Sequence, residues 1–116
     1  MKIELYHTVT GNCPIADFLN RLPKKLQAAA YGDIDVLKEK GNDMGMPFSK
    51  TLGNGLYELR VREHEGSIRI FYFFFDGEKI ILTNGFLKKT QATPRRELDK
   101  ARNYKKDYEG RYKHGL

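Results

Sequence analysis

The 116 residues suffice for one domain with a core of its own, and the lone Cys13 excludes an internal disulfide framework. The 21 basic and 15 acidic side chains leave a net charge of +6, and no apolar run approaches membrane-spanning length. A single domain over residues 1–116 in a reducing cytoplasm is expected, since "MKIELYHTVTGN" also lacks the apolar region of a signal peptide.

Lys2 to His7 reads as a short strand, with Ile3 and Leu5 alternating against Lys2 and Glu4. "GNCP" interrupts it and places Pro14 in the first turn of a helix carrying Ala16, Phe18, Leu19 and Leu22. Pro23 forces a break. Leu26, Ala30, Ile34 and Leu37 then recur at helical spacing to about Lys40, where "GNDMGMP" stops the pattern. Residues 14–40 are therefore expected to form a helical hairpin on a sheet.

From Leu56 the period changes to two. Leu56–His64, Ser67–Phe75 and Glu78–Leu87 read as strands, joined by Glu65-Gly66 and Asp76-Gly77 as two-residue hairpin links. After "TQATP", Thr93 is the expected N-cap and Pro94 the first residue of a last helix, whose thin apolar stripe is Leu98, Ala101 and Tyr108. That stripe reads as core first and as partner contact second. The order is β-α-α-β-β-β-α, with a short further strand near Phe48–Leu52. It describes an α+β domain with a mainly antiparallel sheet.

The charge is unevenly placed. Residues 1–83 hold eleven basic and eleven acidic side chains, whereas residues 84–116 hold ten basic and four acidic. The excess points to a polyanion or an acidic partner, although a solvated basic helix explains it equally well. With two-residue links, Arg62 would stand opposite Arg69, and Arg69 opposite Asn84. One face would then carry Arg60, Arg62, His64, Arg69, Phe71, Phe73, Phe75, Ile80, Leu82, Asn84, Phe86 and Lys88. The other would carry Leu59, Val61, Ile68, Ile70, Tyr72, Phe74, Ile81 and Leu87.

The first face gathers like charges, which destabilises a sheet by up to about 1 kcal/mol per opposed pair. An anion explains such a cluster, because arginine forks fit phosphate oxygens and lysine adds a point charge. Phe86, Phe71 or Tyr57 would stack a base if exposed. The bland reading pairs the arginines with Glu58, Glu63 and Glu65 in an ordinary surface network. A slip of one residue in either hairpin would move half the set to the other face. His64 has a suitable intrinsic pKa but sits at a hairpin tip, and His7 and His114 have no supporting context.

"GLYELR", "RIFY", "FLKKTQ" and "TP", in this order across residues 55–101, resemble the HigB-like, phage-derived branch of the RelE/ParE toxin superfamily. The resemblance implies a RelE-like fold and the toxin of a type II toxin–antitoxin pair. It implies a ribosome-dependent endoribonuclease that cuts mRNA by attack of the 2′-hydroxyl on the adjacent phosphate, without metal or other cofactor. It also implies a cognate helix-turn-helix antitoxin, a toxin–antitoxin hetero-oligomer, the ribosome and mRNA as partners, and no membrane. Carried over, Arg69 is a phosphate and transition-state ligand, Arg60 a second cation, and Lys88 and Lys89 the basic pair that ends the last strand. Arg62, His64, Asn84, Phe86, Gln91 and Arg95 are the RNA contacts expected around them. "TQATPRREL" lacks the tyrosine that some RelE toxins use beyond the basic pair. A non-catalytic basic RNA- or protein-binding module would need the same cations, and the superfamily also includes gyrase-inhibiting toxins.

Overall fold

The apolar run "GSIRIFYFFF" forms a central strand, buried on both faces, and every other element packs around it. In chain order the elements are β1 (Lys2–Leu5), α1 (Pro14–Asn20), α2 (Lys24–Lys40), a 3-10 turn (Gly41–Asp43), β2 (Ser49–Gly53), β3 (Leu56–Glu63), β4 (Gly66–Phe75), β5 (Lys79–Leu87) and α3 (Arg95–Lys113). They come from a computed structural model that describes residues 1–89 and 92–113. The strand order is β1-β5-β4-β3-β2, antiparallel except for the parallel β1–β5 pair. The expected α+β architecture and mainly antiparallel sheet are present, and the short strand foreseen near Phe48–Leu52 is β2.

Helices cover both faces. Leu26, Ala30, Ile34 and Leu37 form the buried stripe of α2, and Ile15 and Leu19 that of α1. They pack against Leu59, Val61, Ile68, Ile70, Tyr72, Ile80 and Leu82. On the opposite face Tyr108 of α3 meets Phe73, Phe75 and Ile81 with Tyr6, while Ala101 meets Leu56, Phe71 and Phe86. Ala101 and Tyr108 are thus core, as the stripe implied, and the half-buried Leu98 packs against it. The far end of α3 is latched by the Tyr6 hydroxyl, which donates to Asp107 Oδ2 at 2.5 Å, and by Arg111, which pairs with the same oxygen at 2.7 Å. Burial, followed by the neighbouring carboxylate, raises the Tyr6 hydroxyl to about 12, so it remains a donor.

Both hairpin registers differ from expectation. Glu63 pairs with Gly66, so the first loop is His64-Glu65, and Arg60 rather than Arg62 stands opposite Arg69. Phe75 pairs with Lys79, so the second loop has three residues, with Asp76 and Gly77 both at positive φ. That extra residue puts Ile81 on the α3 face and Ile80 and Leu82 on the hairpin face, reversing the expected assignment. A bulge then restores the parity. Leu82 faces Tyr72 and Gly85 faces Ile70, which leaves one surplus residue on β5, so Phe86 rather than Asn84 stands opposite Arg69.

Gly85 is required by close approach rather than by dihedral angle. A Cβ there would lie 2.7 Å from the Phe18 ring and 2.9 Å from the Arg69 carbonyl oxygen. Phe18 closes α1 over the bulge at this point. Gly85→Ala should lower stability by about 1–3 kcal/mol through overpacking. Urea denaturation checks this as a lower midpoint with an unchanged slope.

Candidate functional site

The bulge decides which side chains reach the end of the sheet that α3 leaves open. Arg60 and Arg69 are directly opposed across β3 and β4, and Phe86 is the partner of Arg69 on β5. Lys88 lies two residues past Phe86, and its amide still donates to the Ser67 carbonyl at 2.9 Å, continuing the ladder. On the other flank Lys50 of β2 pairs with Glu58 of β3. Alternation places Glu58, Arg60 and Arg62 on one face, together with Arg69 and Lys88.

At the centre lies a carboxylate. The side chain of Glu58 is 2% exposed and that of Arg69 is 7% exposed, with Nε 3.3 Å from Glu58 Oε1. Arg69 Nη1 donates to the Ile68 carbonyl at 3.1 Å, and Thr93 Oγ1 donates to Glu58 Oε1 at 3.4 Å. Thr93 therefore serves the site instead of capping α3, which begins one residue later than expected, with the Pro94 carbonyl accepting its first bonds. Arg60 Nε is buried without a hydrogen-bond acceptor among the described residues, whereas Arg69 Nε is engaged by the Glu58 carboxylate. An unmet buried donor of this kind calls for an acceptor.

The fields here follow from burial and crowding. Desolvation, then Arg60 and Arg62, pull Arg69 below the ordinary arginine range, with Glu58 opposing. Arginine starts so high that the guanidinium stays charged. Lys88 is pulled below the ordinary lysine range by desolvation first and Arg69 next, with Arg60 and Lys50 adding and Glu58 opposing. Lys89 is exposed and follows Lys88 beyond the last strand. Of the two lysines it is Lys88 that stands in the field of the arginines.

The remaining expected contacts are scattered. Arg62 is exposed opposite Ser67, and His64 is exposed in the first loop. Asn84 is buried, its Nδ2 donating to the Glu97 carbonyl at 3.2 Å and its Oδ1 accepting from Thr83, so it ties the bulge to α3. Phe86 is 8% exposed and tilted against the fully buried Phe71, while Tyr57 packs in the hairpin core beside Tyr72. Phe71 and Phe86 present no exposed face, and Tyr57 is half-buried. Arg95 is exposed on α3 and pairs with Asp99. Gln91 lies outside the described residues, as do Thr90 and His114.

The basic excess of residues 84–116 is also not the cluster. Lys100, Lys105, Arg111 and Lys113 each have an acidic partner within one turn of α3. The converging cations come mostly from the charge-balanced part of the chain. Lys50 was not anticipated, and Glu58 was read only as a surface partner. The signal for Glu58 was its place between Leu56 and Arg60 on the same alternating face.

Residues 17–106 match the family model described as phage-derived protein, Gp49-like (DUF891). The chain belongs to this Gp49-like family. The match runs from within α1 into α3 and includes the whole cation cluster of this Gp49-like chain. A comparison with curated proteins found no match. Among the described residues no group of His, Cys, Asp and Glu is arranged to hold a metal ion, and no helix is long and apolar enough to cross a membrane.

Removing one of the opposed arginines should relieve both their repulsion and the field on Lys88. Arg60→Gln is expected to raise stability by about 0.2–1 kcal/mol. It should also move the Lys88 titration midpoint, followed by NMR of the side-chain amine, back toward about 10.4. The sign extends to pH. With its folded pKa depressed, Lys88 binds fewer protons in the folded than in the unfolded chain within the window just below the ordinary lysine value. Its contribution therefore opposes folding at lower pH and becomes less unfavourable as pH rises through that window.

Proposed function

We propose that this Gp49-like protein is the toxin of a toxin–antitoxin pair and acts as a ribosome-dependent mRNA endoribonuclease, with a RelE-like fold. The observation that carries the reading is the opposed Arg60–Arg69 pair, with Lys88 beside it and Arg69 largely desolvated. Membership of a phage-derived family associated with toxin–antitoxin systems supports the toxin role. The pair's antitoxin would be a helix-turn-helix protein that forms a hetero-oligomer with it.

In the proposed reaction the 2′-oxygen forms a bond to the adjacent phosphorus and the bond from phosphorus to the 5′-oxygen breaks. The products are a 2′,3′-cyclic phosphate and a 5′-hydroxyl end. Arg69 and Arg60 neutralise charge that grows on the phosphoryl oxygens. Glu58 orients Arg69, and Lys88, whose environment disfavours its charged form, takes the 2′-hydroxyl proton and returns it to the departing 5′-oxygen. A second reading, a non-catalytic RNA- or protein-binding module, is favoured by one observation: Glu58 already commits Arg69 to an internal ion pair.

The two readings separate on Lys88. Lys88→Met should abolish growth arrest on induced expression and reduce cleavage by about 10²–10⁴-fold, the usual share of general acid–base catalysis. RNA and antitoxin binding should survive. Primer extension on cellular mRNA from the unsubstituted protein should map discrete breaks with 5′-hydroxyl ends. Absence of such breaks, or cleavage undiminished in Lys88→Met and in Arg69→Ala, would overturn the enzymatic reading.

A further inference from the structure

The aromatic surface that the site lacks on β4 and β5 is present on its other flank. Phe48, immediately before β2, is 57% exposed. Its carbonyl accepts the Arg60 amide at 2.8 Å, which fixes it beside the cation cluster. Phe48, Pro47, Arg60, Arg62 and Asp33 line an open hollow of 240 Å³, roomy enough for one nucleobase.

We infer that this hollow is the base-holding subsite of the RNA reading above, with Phe48 as its stacking platform. The occupant is a single unstacked nucleotide next to the phosphate held at Arg69. Three observations converge on that ligand. An aromatic face held on a strand edge stacks any base. Arg62 and Arg60 border the same hollow and supply the charge that a nucleotide's phosphate requires. Arg60 also faces Arg69 across the sheet, so hollow and phosphate site adjoin through one residue. Asp33, half-buried on α2, adds an acceptor for a base amino group. Desolvation raises its carboxyl above the ordinary aspartate range.

The chain contains no tryptophan, so Phe48→Trp installs a single fluorescent reporter. The full-length variant should be quenched by a 2′-O-methyl RNA oligonucleotide, which cannot be cleaved, and not by inorganic polyphosphate at equal charge. Phe48→Ala should weaken oligonucleotide binding by about tenfold or more, as expected when one base loses its platform. It should raise KM for mRNA cleavage more than it lowers kcat, and Phe48→Tyr should restore binding. Because Phe48 is exposed, these variants should keep the parent's melting temperature. Binding and cleavage untouched in Phe48→Ala, with no quenching in Phe48→Trp, would overturn this subsite and leave the ribonuclease reading standing. Loss of antitoxin binding with RNA binding intact would likewise overturn it and assign the hollow to a protein partner. If the unsubstituted chain neither binds the oligonucleotide nor cuts mRNA, the ribonuclease reading fails, and the subsite fails with it.

Discussion

A carboxylate and a guanidinium buried beside each other on β3 and β4 set the terms for the open end of the sheet. Moving two such ions out of water costs several kcal/mol each, and mutual attraction offsets this only when both are held in place. Glu58 and Arg69 are held by the central ladders of a sheet covered on both faces. Around the carboxylate stand Lys50, Arg60 and Lys88, so the local charge remains positive although its centre is negative. The arrangement keeps a cluster of cations folded around a buried carboxylate.

The position of those cations depends on a cancellation along β5. A three-residue loop shifts the strand by one position, and a bulge at Thr83–Gly85 shifts it by another. Without the bulge, Phe86 and Lys88 would turn toward the helical hairpin, and Arg69 would lose its lysine neighbour. The bulge is stabilised from both sides. Phe18 presses on Gly85 from the hairpin face, and Asn84 bonds the first turn of α3 from the other. The helices thus determine which way the β5 cation points, as well as burying the sheet's apolar faces.

This accounts for what was legible in the sequence. Periodicity identified each helix and strand, because alternation and helical stripes are imposed locally by burial. Face membership of Arg60, Arg62, Arg69 and Lys88 also followed, since the β3–β4 register differed by an even number and the two β5 shifts summed to an even number. Partner identity did not follow, because loop length and bulges depend on packing by Phe18 and α3 that no local pattern encodes. Composition misdirected in one respect: five of the ten basic residues of the tail pair with acids on α3 itself. Burial misdirected in another, since Phe71 and Phe86 are core, and Phe48, the exposed aromatic beside the cations, lies in a segment whose turn-rich sequence carries no strong period. Thr93 resembled a cap in sequence and instead reaches Glu58, a contact 35 residues away along the chain.

The same cations meet two opposed demands of the proposed reaction. Stabilising a phosphoryl transition state needs fixed positive charge, whereas a lysine that accepts a proton must first be neutral. Arg69 and Arg60 contribute to both, because after desolvation the field that would attract phosphate also lowers the proton affinity of Lys88. Arrival of a phosphate then reverses the effect. Its negative charge screens the arginines and raises the affinity of Lys88 for a proton at the moment the 2′-hydroxyl must lose one. By linkage, the proton taken up at Lys88 strengthens phosphate binding in equal measure. Glu58 limits the amplitude from the other direction, since it already favours the charged lysine.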